Sequence, residues 1–547
     1  MTLRTKFFPT AILSGALLLS LSVSAQTMPA DAPPPPKNWH ALDLKADGFY
    51  GISLNSAYQF VAGKKSKTVL VATIDSGIDT AQKDLQGILW VNPKEIPNNG
   101  KDDDGNGFVD DMHGWDFLGG PGGKIDYTET TEEVREYNRL KDKYSSMTTP
   151  PAGGEKEYAY WLTVKQQYDE TTGKSKTELP QVQQFANVLM ATSGYIKHSL
   201  NLSSDATFTL ADLSKITATN DTIKQSKTIW TSVFNEEGPT LDNAKILKEI
   251  SEYMEKLNND VNPDLTARAR IVGDDPNVRD GKHYGNNIVK APDCSHGTGV
   301  AGLIGAKRGN GYGIDGVADN VQIMSVKAVP NGDEYDKDIA NAIHYAVDNG
   351  AKIINMSFGK KLSPHKAWVD EAFKYAAAKD VLLVQASGND NQNVDDKPEF
   401  PNTMFLDGAS GADNVISVDA SGSKLDEHLA ANFTNYGKKN TDIFAPGVKV
   451  TSIDMDAEFN TADGTSFASP ITAGVAALIL EYYPDLSAKQ LKQCILASAT
   501  PLTGTMVFKP GSTTEKVDFA SLSKTGGIVN ARKALEFASK LKGERKK

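Results

Sequence analysis

The chain has 547 residues, 39% of them hydrophobic and 23% charged. That balance suits one large or two ordinary folded domains and excludes a disordered chain. A formal net charge of −11 argues against a nucleic-acid partner, which would call for a basic excess, and two cysteines, Cys294 and Cys494, rule out a disulfide framework as the source of stability.

In chain order the first element is a leader. Arg4 and Lys6 precede an apolar run from Ala11 to Leu21, and Val23-Ser24-Ala25 is a small-residue cleavage site. The run is short for a bilayer, so export with cleavage after Ala25 is expected, with no permanent membrane span. The destination is the periplasm, the cell surface or the medium. Residues 26–67 form a Pro-rich extension that includes APPPP at 32–36, a stiff spacer.

From residue 68 to 542 strand and helix alternate. Strands are expected at Val69 to Ile74, Val321 to Val329, Lys352 to Phe358, Val381 to Ala386 and Val415 to Val418. Helices are expected from Asp336 to Asn349, ended by Gly350, and through Ala372 to Lys379. Near-continuous apolar strands alternating with helices predict an α/β fold: a doubly wound, mostly parallel sheet flanked by helices on both faces. Residues 118–282 interrupt this pattern and read as a large, mainly helical insertion, with Leu241 to Leu257 as one helix. A surface-packed elaboration is the plain reading, since long loop insertions are tolerated. A lid, an inhibitor-like element or a partner site is the sharper one. A short basic tail, 543–547, closes the chain.

Three short segments carry chemistry. Asp75 sits in IDSGID, His296 in CSHGTGVAG and Ser466 in GTSFASPITAG. A serine hydroxyl can attack a carbonyl if an imidazole takes its proton and a carboxylate holds the imidazole. Pro470 is expected in the first turn of an apolar helix that Ser466 opens. His296 opens a small-residue helix whose Gly297, Gly299 and Gly302 would let it pack on the Ser466 helix. Cys294, two residues before His296, reads as a small buried thiol, because Ser466 already has the nucleophile frame.

A fourth segment, NNGKDDDGNGFVDD at 98–111, resembles a calcium loop. Asp102, Asp104 and Asn106 alternate, Gly107 permits a sharp turn, the Phe108 carbonyl could ligate, and Asp110 or Asp111 could complete the shell. His113 stands where the last acidic ligand of an EF-hand would be. The alternative is a solvated acidic turn.

The order Asp, His, Ser and the three small-residue frames resemble the subtilisin-like serine peptidases. That resemblance implies a secreted endopeptidase acting on exposed, flexible polypeptide through an acyl-enzyme. It implies that Asn389, in ASGND, is the side-chain oxyanion donor. It implies that Ser357, Phe358 and Gly359, in NMSFG, receive the substrate as an added strand. It also implies a second structural calcium near RGNGYGIDGVA, with Asp84 and Asn310 matching two ligands. The stretch between Ala25 and Thr68 looks too short for the family's usual folded pro-domain, so activation by that route is in question. Two other classes stand against the endopeptidase: a peptide ligase on the same scaffold, which would need an unusual Ser466 surround, and a binding protein built on a dead core. The presence of all four catalytic-type residues favours the peptidase.

Overall fold

The computed structural model describes residues 35–218, 220–237, 241–279, 283–408 and 412–545. The leader, the start of APPPP and the end of the 118–282 interval lie outside them. Among the described residues no helix is long and apolar enough to cross a membrane.

The chain forms two compact units, 133–264 and a larger one built from 35–132 with 265–545. At the heart of the larger unit is a seven-stranded sheet. Its strands are β1 (Val69–Asp75), β2 (Gly114–Asp116), β3 (Val321–Lys327), β4 (Ile353–Met356), β5 (Leu382–Ala386), β6 (Val415–Ser421) and β7 (Ile443–Pro446). Their order is β2-β3-β1-β4-β5-β6-β7, and every pairing is parallel. β1 therefore runs between β3 and β4, with Val69 opposite Val321 and Asp75 opposite Lys327. Asp75 ends the strand at the carboxyl edge of the sheet, where loops from parallel strands converge.

The two-residue period of a strand sorts the core. Val69 and Val71 point to one face, against Val300, Leu303 and Ile304 of the helix Ser295–Gly305 and against Ile471 and Val475 of the helix Thr465–Tyr482. Ala72 and Ile74 point to the other, toward Ile339 and Ile343 of the helix Asp336–Asp348 and Phe373 of the helix Lys366–Ala378. β3 ends at Lys327, two residues before the expected boundary, because the Ala328 and Val329 N–H groups both turn to the Asp75 carbonyl.

The 133–264 unit is helical. Its helices include Glu155–Ser199, Asp221–Glu237 and Asn243–Val261. Leu189, Ile196, Trp230, Phe234, Ile246 and Ile250 make its core. This unit is shorter than the 118–282 interval. Residues 127–132 belong to the larger unit: the Asn331 N–H donates to the Tyr127 carbonyl at 2.6 Å, and the Glu129 N–H donates to the Asn331 carbonyl at 3.1 Å. On the return side Arg268, 4% exposed, is clamped by Asp274 and Asp338, each at 2.6 Å. Breaking such a buried pair by removing one partner costs about 3–5 kcal/mol.

Candidate active site

Asp75 is 2% exposed. Its Oδ1 accepts the Ser76 N–H at 2.8 Å and meets His296 Nδ1 at 2.7 Å. His296 lies in the first turn of its helix. That helix seats on the IDSG turn because Gly297 has no side chain: a Cβ there would lie 2.1 Å from the Gly77 carbonyl oxygen. The small residues thus act differently from the expectation. Gly297 and Gly302 face Gly77 and Ile453, and only Gly299 looks toward the Ser466 helix, where Phe467 lies 3.7 Å from its would-be Cβ.

Ser466 is the second residue of its helix and is 7% exposed. Its Oγ donates to the Ser357 carbonyl at 3.3 Å. No hydrogen bond joins it to His296 among the described residues, although the His296 ring stands edge-on to Phe467, its neighbour, at 6.2 Å. Catalytic hydrogen bonds are often long in substrate-free sites and tighten in the complex. Pro470 sits at the sixth helical position rather than in the first turn. A proline has no N–H to give the carbonyl four residues back, so the Ser466 carbonyl lacks its helical donor. Ser357 Oγ supplies one at 3.0 Å. Asn355 Nδ2 donates to Ser357 Oγ at 2.9 Å, and Ser469 Oγ donates to Asn355 Oδ1 at 2.8 Å. A chain of buried bonds therefore ties the Ser466 helix to the end of β4.

Asn389 follows β5. Its Oδ1 accepts both the Thr465 N–H and the Thr465 hydroxyl, each at 2.9 Å. That fixes the amide, so Nδ2 is the end left to donate. A Cβ on Gly464 would lie 3.6 Å from the Ser466 nitrogen and 3.8 Å from Asn389 Nδ2, so two donors border one small space beside Ser466. Asn435 braces the loop that carries Asn389. Its Oδ1 accepts the Asp390 and Gln392 N–H groups at 3.0 and 2.9 Å, and its Nδ2 donates to the Ser387 carbonyl at 2.9 Å. Phe358 and Gly359 border a small, partly open cavity of about 30 Å³ that is also lined by Gly388 and Glu399.

Cys294 and Cys494 are buried and reduced. Burial pushes the Cys294 thiol up to about 11, which keeps it protonated and unreactive.

In the acidic loop the structure gathers Glu95, Asp102 and Asp104, with ligand oxygens within 4.8 Å of one another. Glu95 Oε1 accepts the Asp103 N–H at 2.9 Å, while its Oε2 is buried with no hydrogen-bond partner. Asp102 takes the Gly105 and Gly107 N–H groups at 2.8 Å. The other loop residues face elsewhere. Asp110 accepts from the N–H groups of Asn99 and Gly100. Asp111 accepts from Tyr345, Asn92 and Asn106, and burial raises its carboxyl to about 6. The Phe108 ring packs edge-on to Trp115 and Tyr345. Asp84 and Asn310 do meet: Asn310 Nδ2 donates to Asp84 Oδ1 at 2.6 Å, and the Ile314 N–H donates to Oδ2 at 2.9 Å.

The sequence reading missed Glu95, Asn355, Asn435 and Thr465. Two of these had a local signal: Thr465, the residue before Ser466 in GTSFASPITAG, and Asn355, which opens NMSFG.

A family model described as the subtilase family matches residues 66–520. The chain is 35% identical over 213 residues to the thermophilic serine proteinase of Bacillus sp. (strain AK1), covering 39% of this chain and 48% of that protein. It is 35% identical over 245 residues to the alkaline elastase YaB of Bacillus sp. (strain YaB), covering 44% and 57%. Against subtilisin Savinase of Lederbergia lenta it is 32% identical over 253 residues, covering 46% and 82%. The chain thus spans about half the length of the first two relatives.

Proposed function

We infer, for a chain that belongs to the subtilase family, that this site hydrolyses peptide bonds as a serine endopeptidase. The observation that carries the reading is the 2.7 Å contact between His296 Nδ1 and Asp75, on the same edge of the sheet as a space bordered by two donors next to Ser466. Asp75 holds His296 with Nδ1 protonated and stabilises the imidazolium that forms. His296 takes the Ser466 proton as Oγ attacks the scissile carbonyl. The oxyanion accepts from the Ser466 N–H and Asn389 Nδ2, donors already oriented before charge develops. His296 then returns the proton to the leaving amine, and water, activated by the same imidazole, releases the acyl group. Ser357, Phe358 and Gly359 would take the polypeptide as an added strand, with backbone groups giving affinity. The partners are polypeptide substrates, and the compartment is one reached by export.

We further propose calcium as a structural ion in the acidic loop. Hard cations take carboxylate oxygens, and the unpartnered, buried Glu95 Oε2 is an acceptor that such an ion would satisfy. Glu95, Asp102 and Asp104 would hold it, with Asn106 Oδ1 and the Phe108 carbonyl as the neighbouring oxygens of the loop. Asp84 and Asn310 fit a second ion only if the Asn310 amide turns its oxygen inward, since both Asp84 oxygens now accept N–H groups. An ion in either place would supply charge neutralisation and rigidity, and no chemical step needs it.

The test is labelling by a fluorophosphonate. The native chain should react, and Ser466→Ala should not. Equal labelling of the two would remove the reading.

A further inference from the structure

The cavity beside the nucleophile contains a buried acid that peptide hydrolysis itself does not require. Its apolar walls are Phe358, Phe400 and Met404. Gly359 and Gly388 also line it, and Gly388 precedes Asn389. On one wall stands Glu399. Its carboxylate lies directly on Gly388: a Cβ there would be 1.8 Å from Glu399 Oε2, and Gly388 holds a φ of +105°, which favours glycine. Asn435 Nδ2 donates to the same oxygen. The carboxyl of Glu399 also hydrogen-bonds that of Asp390, and Lys361 is the cation whose field reaches it. Among the described residues no basic side chain forms an ion pair with Glu399. Burial first, then the Asp390 charge, push its carboxyl well above the usual range. Glu399 thus stands in a partly enclosed space with no basic side chain in contact among the described residues. Burial of a carboxylate is unfavourable until a cation or further donors meet it.

A peptide whose scissile carbonyl sits between Ser466 N and Asn389 Nδ2 sends the side chain of that residue past Gly359 and Gly388 into this cavity. The aromatic and thioether walls suit a methylene stem, and the acid suits a positive end. We propose that Glu399 selects a basic residue, lysine or arginine, on the amino side of the bond that is cut. This rests on the peptidase reading above and names the substrate class for that site. Glu399 acts on specificity, while Ser466, His296 and Asn389 carry out the chemistry.

The experiment is digestion of a mixed peptide library, made by cutting a proteome at glutamate, with the new termini read by mass spectrometry. The full chain should cut after lysine and arginine at least tenfold more often than after leucine and phenylalanine. Glu399→Gln should lower that ratio at least tenfold, and Glu399→Asp should keep most of it. The ratio is internal to each sample, so a partly folded variant still reports it. A native chain that prefers leucine or phenylalanine overturns the proposal, as does a Glu399→Gln ratio within twofold of the native one. A native chain that cuts nothing and resists fluorophosphonate overturns the peptidase reading itself, and this proposal with it.

Discussion

Thr465 and Asn389 make a prediction that separates a catalytic donor from the residue that aims it. Asn389→Ala removes Nδ2 from the oxyanion space. Loss of one such donor in subtilisin costs about 2.7–4 kcal/mol, or about 10²–10³ in kcat, and the same range is expected here with KM little changed. The substitution also orphans the Thr465 N–H and hydroxyl, which are fully buried. Each orphaned donor costs about 1–3 kcal/mol of stability, so a lower Tm should accompany the loss of rate. Thr465→Val keeps the N–H bond to Asn389 and removes the hydroxyl's bond to Asn389, along with the one the hydroxyl accepts from the Gly388 N–H at 3.3 Å. One neutral hydrogen bond is worth about 1 kcal/mol net, so kcat should fall about fivefold. Because Thr465 acts through Asn389, the double variant should be no slower than Asn389→Ala alone. The assay is kcat on a chromogenic peptide, with active sites counted by fluorophosphonate in each preparation. Losses that multiply in the double variant would refute the aiming role. A kcat within threefold of native in Asn389→Ala would refute the donor.

Ser466→Ala should abolish casein cleavage while the melting curve stays cooperative; triad loss in subtilisin costs about 10⁶ in turnover, and near-normal cleavage by the folded variant would remove the nucleophile assignment. A strong chelator should lower Tm before it alters the rate per active site, because an ion bound only to the native state stabilises by about 2.7 kcal/mol at a hundredfold excess over its Kd. Glu95→Gln with Asp102→Ala should abolish the chelator effect, and an undiminished effect would move the ion elsewhere. Glu481 gives a pH dependence: it is fully buried on the Ser466 helix, and burial pushes its carboxyl up to about 9. An unfolded glutamate titrates at about 4.3. Between the two values the native state holds a proton that the unfolded chain has lost. This contribution is therefore full below about pH 4.3 and is lost as pH rises toward 9, at about 1.4 kcal/mol per unit. Melting of Ser466→Ala protein across that window should fall less steeply once Glu481→Gln is added, and parallel slopes would contradict the assignment.

The parts that sequence reveals are those whose cause is local. β1 reads as a strand because it is buried on both faces, and Asp75 marks its end. The helix Lys366–Ala378 starts six residues before the expected onset, and its first residue, Lys366, is buried in an ion pair with Asp370 one turn on. Residues 127–132 read as insertion because they are polar, but backbone pairing with Asn331 draws them into the larger unit. The supports of the site were hidden for the same reason. Asn435 reaches Ser387 across 48 positions, and no frame around either residue announces the contact. Glu95 precedes the acidic loop and joins it only when the chain folds back, so a motif read along 98–111 passes it by.

The bond from Ser357 to the Ser466 carbonyl links two tasks that could have been separate. A helix without Pro470 would satisfy that carbonyl itself, and the end of β4 would be free to shift against it. With the proline in place, the nucleophile's first turn is complete only when Ser357 is in register, and Ser357 is itself held by Asn355 and Ser469. The strand proposed to receive substrate and the helix that carries the nucleophile therefore move as one body. A polypeptide laid along Ser357–Gly359 is positioned against Ser466 by the same bonds, and the alignment of scissile carbonyl and hydroxyl is set before binding rather than by closure of a loop.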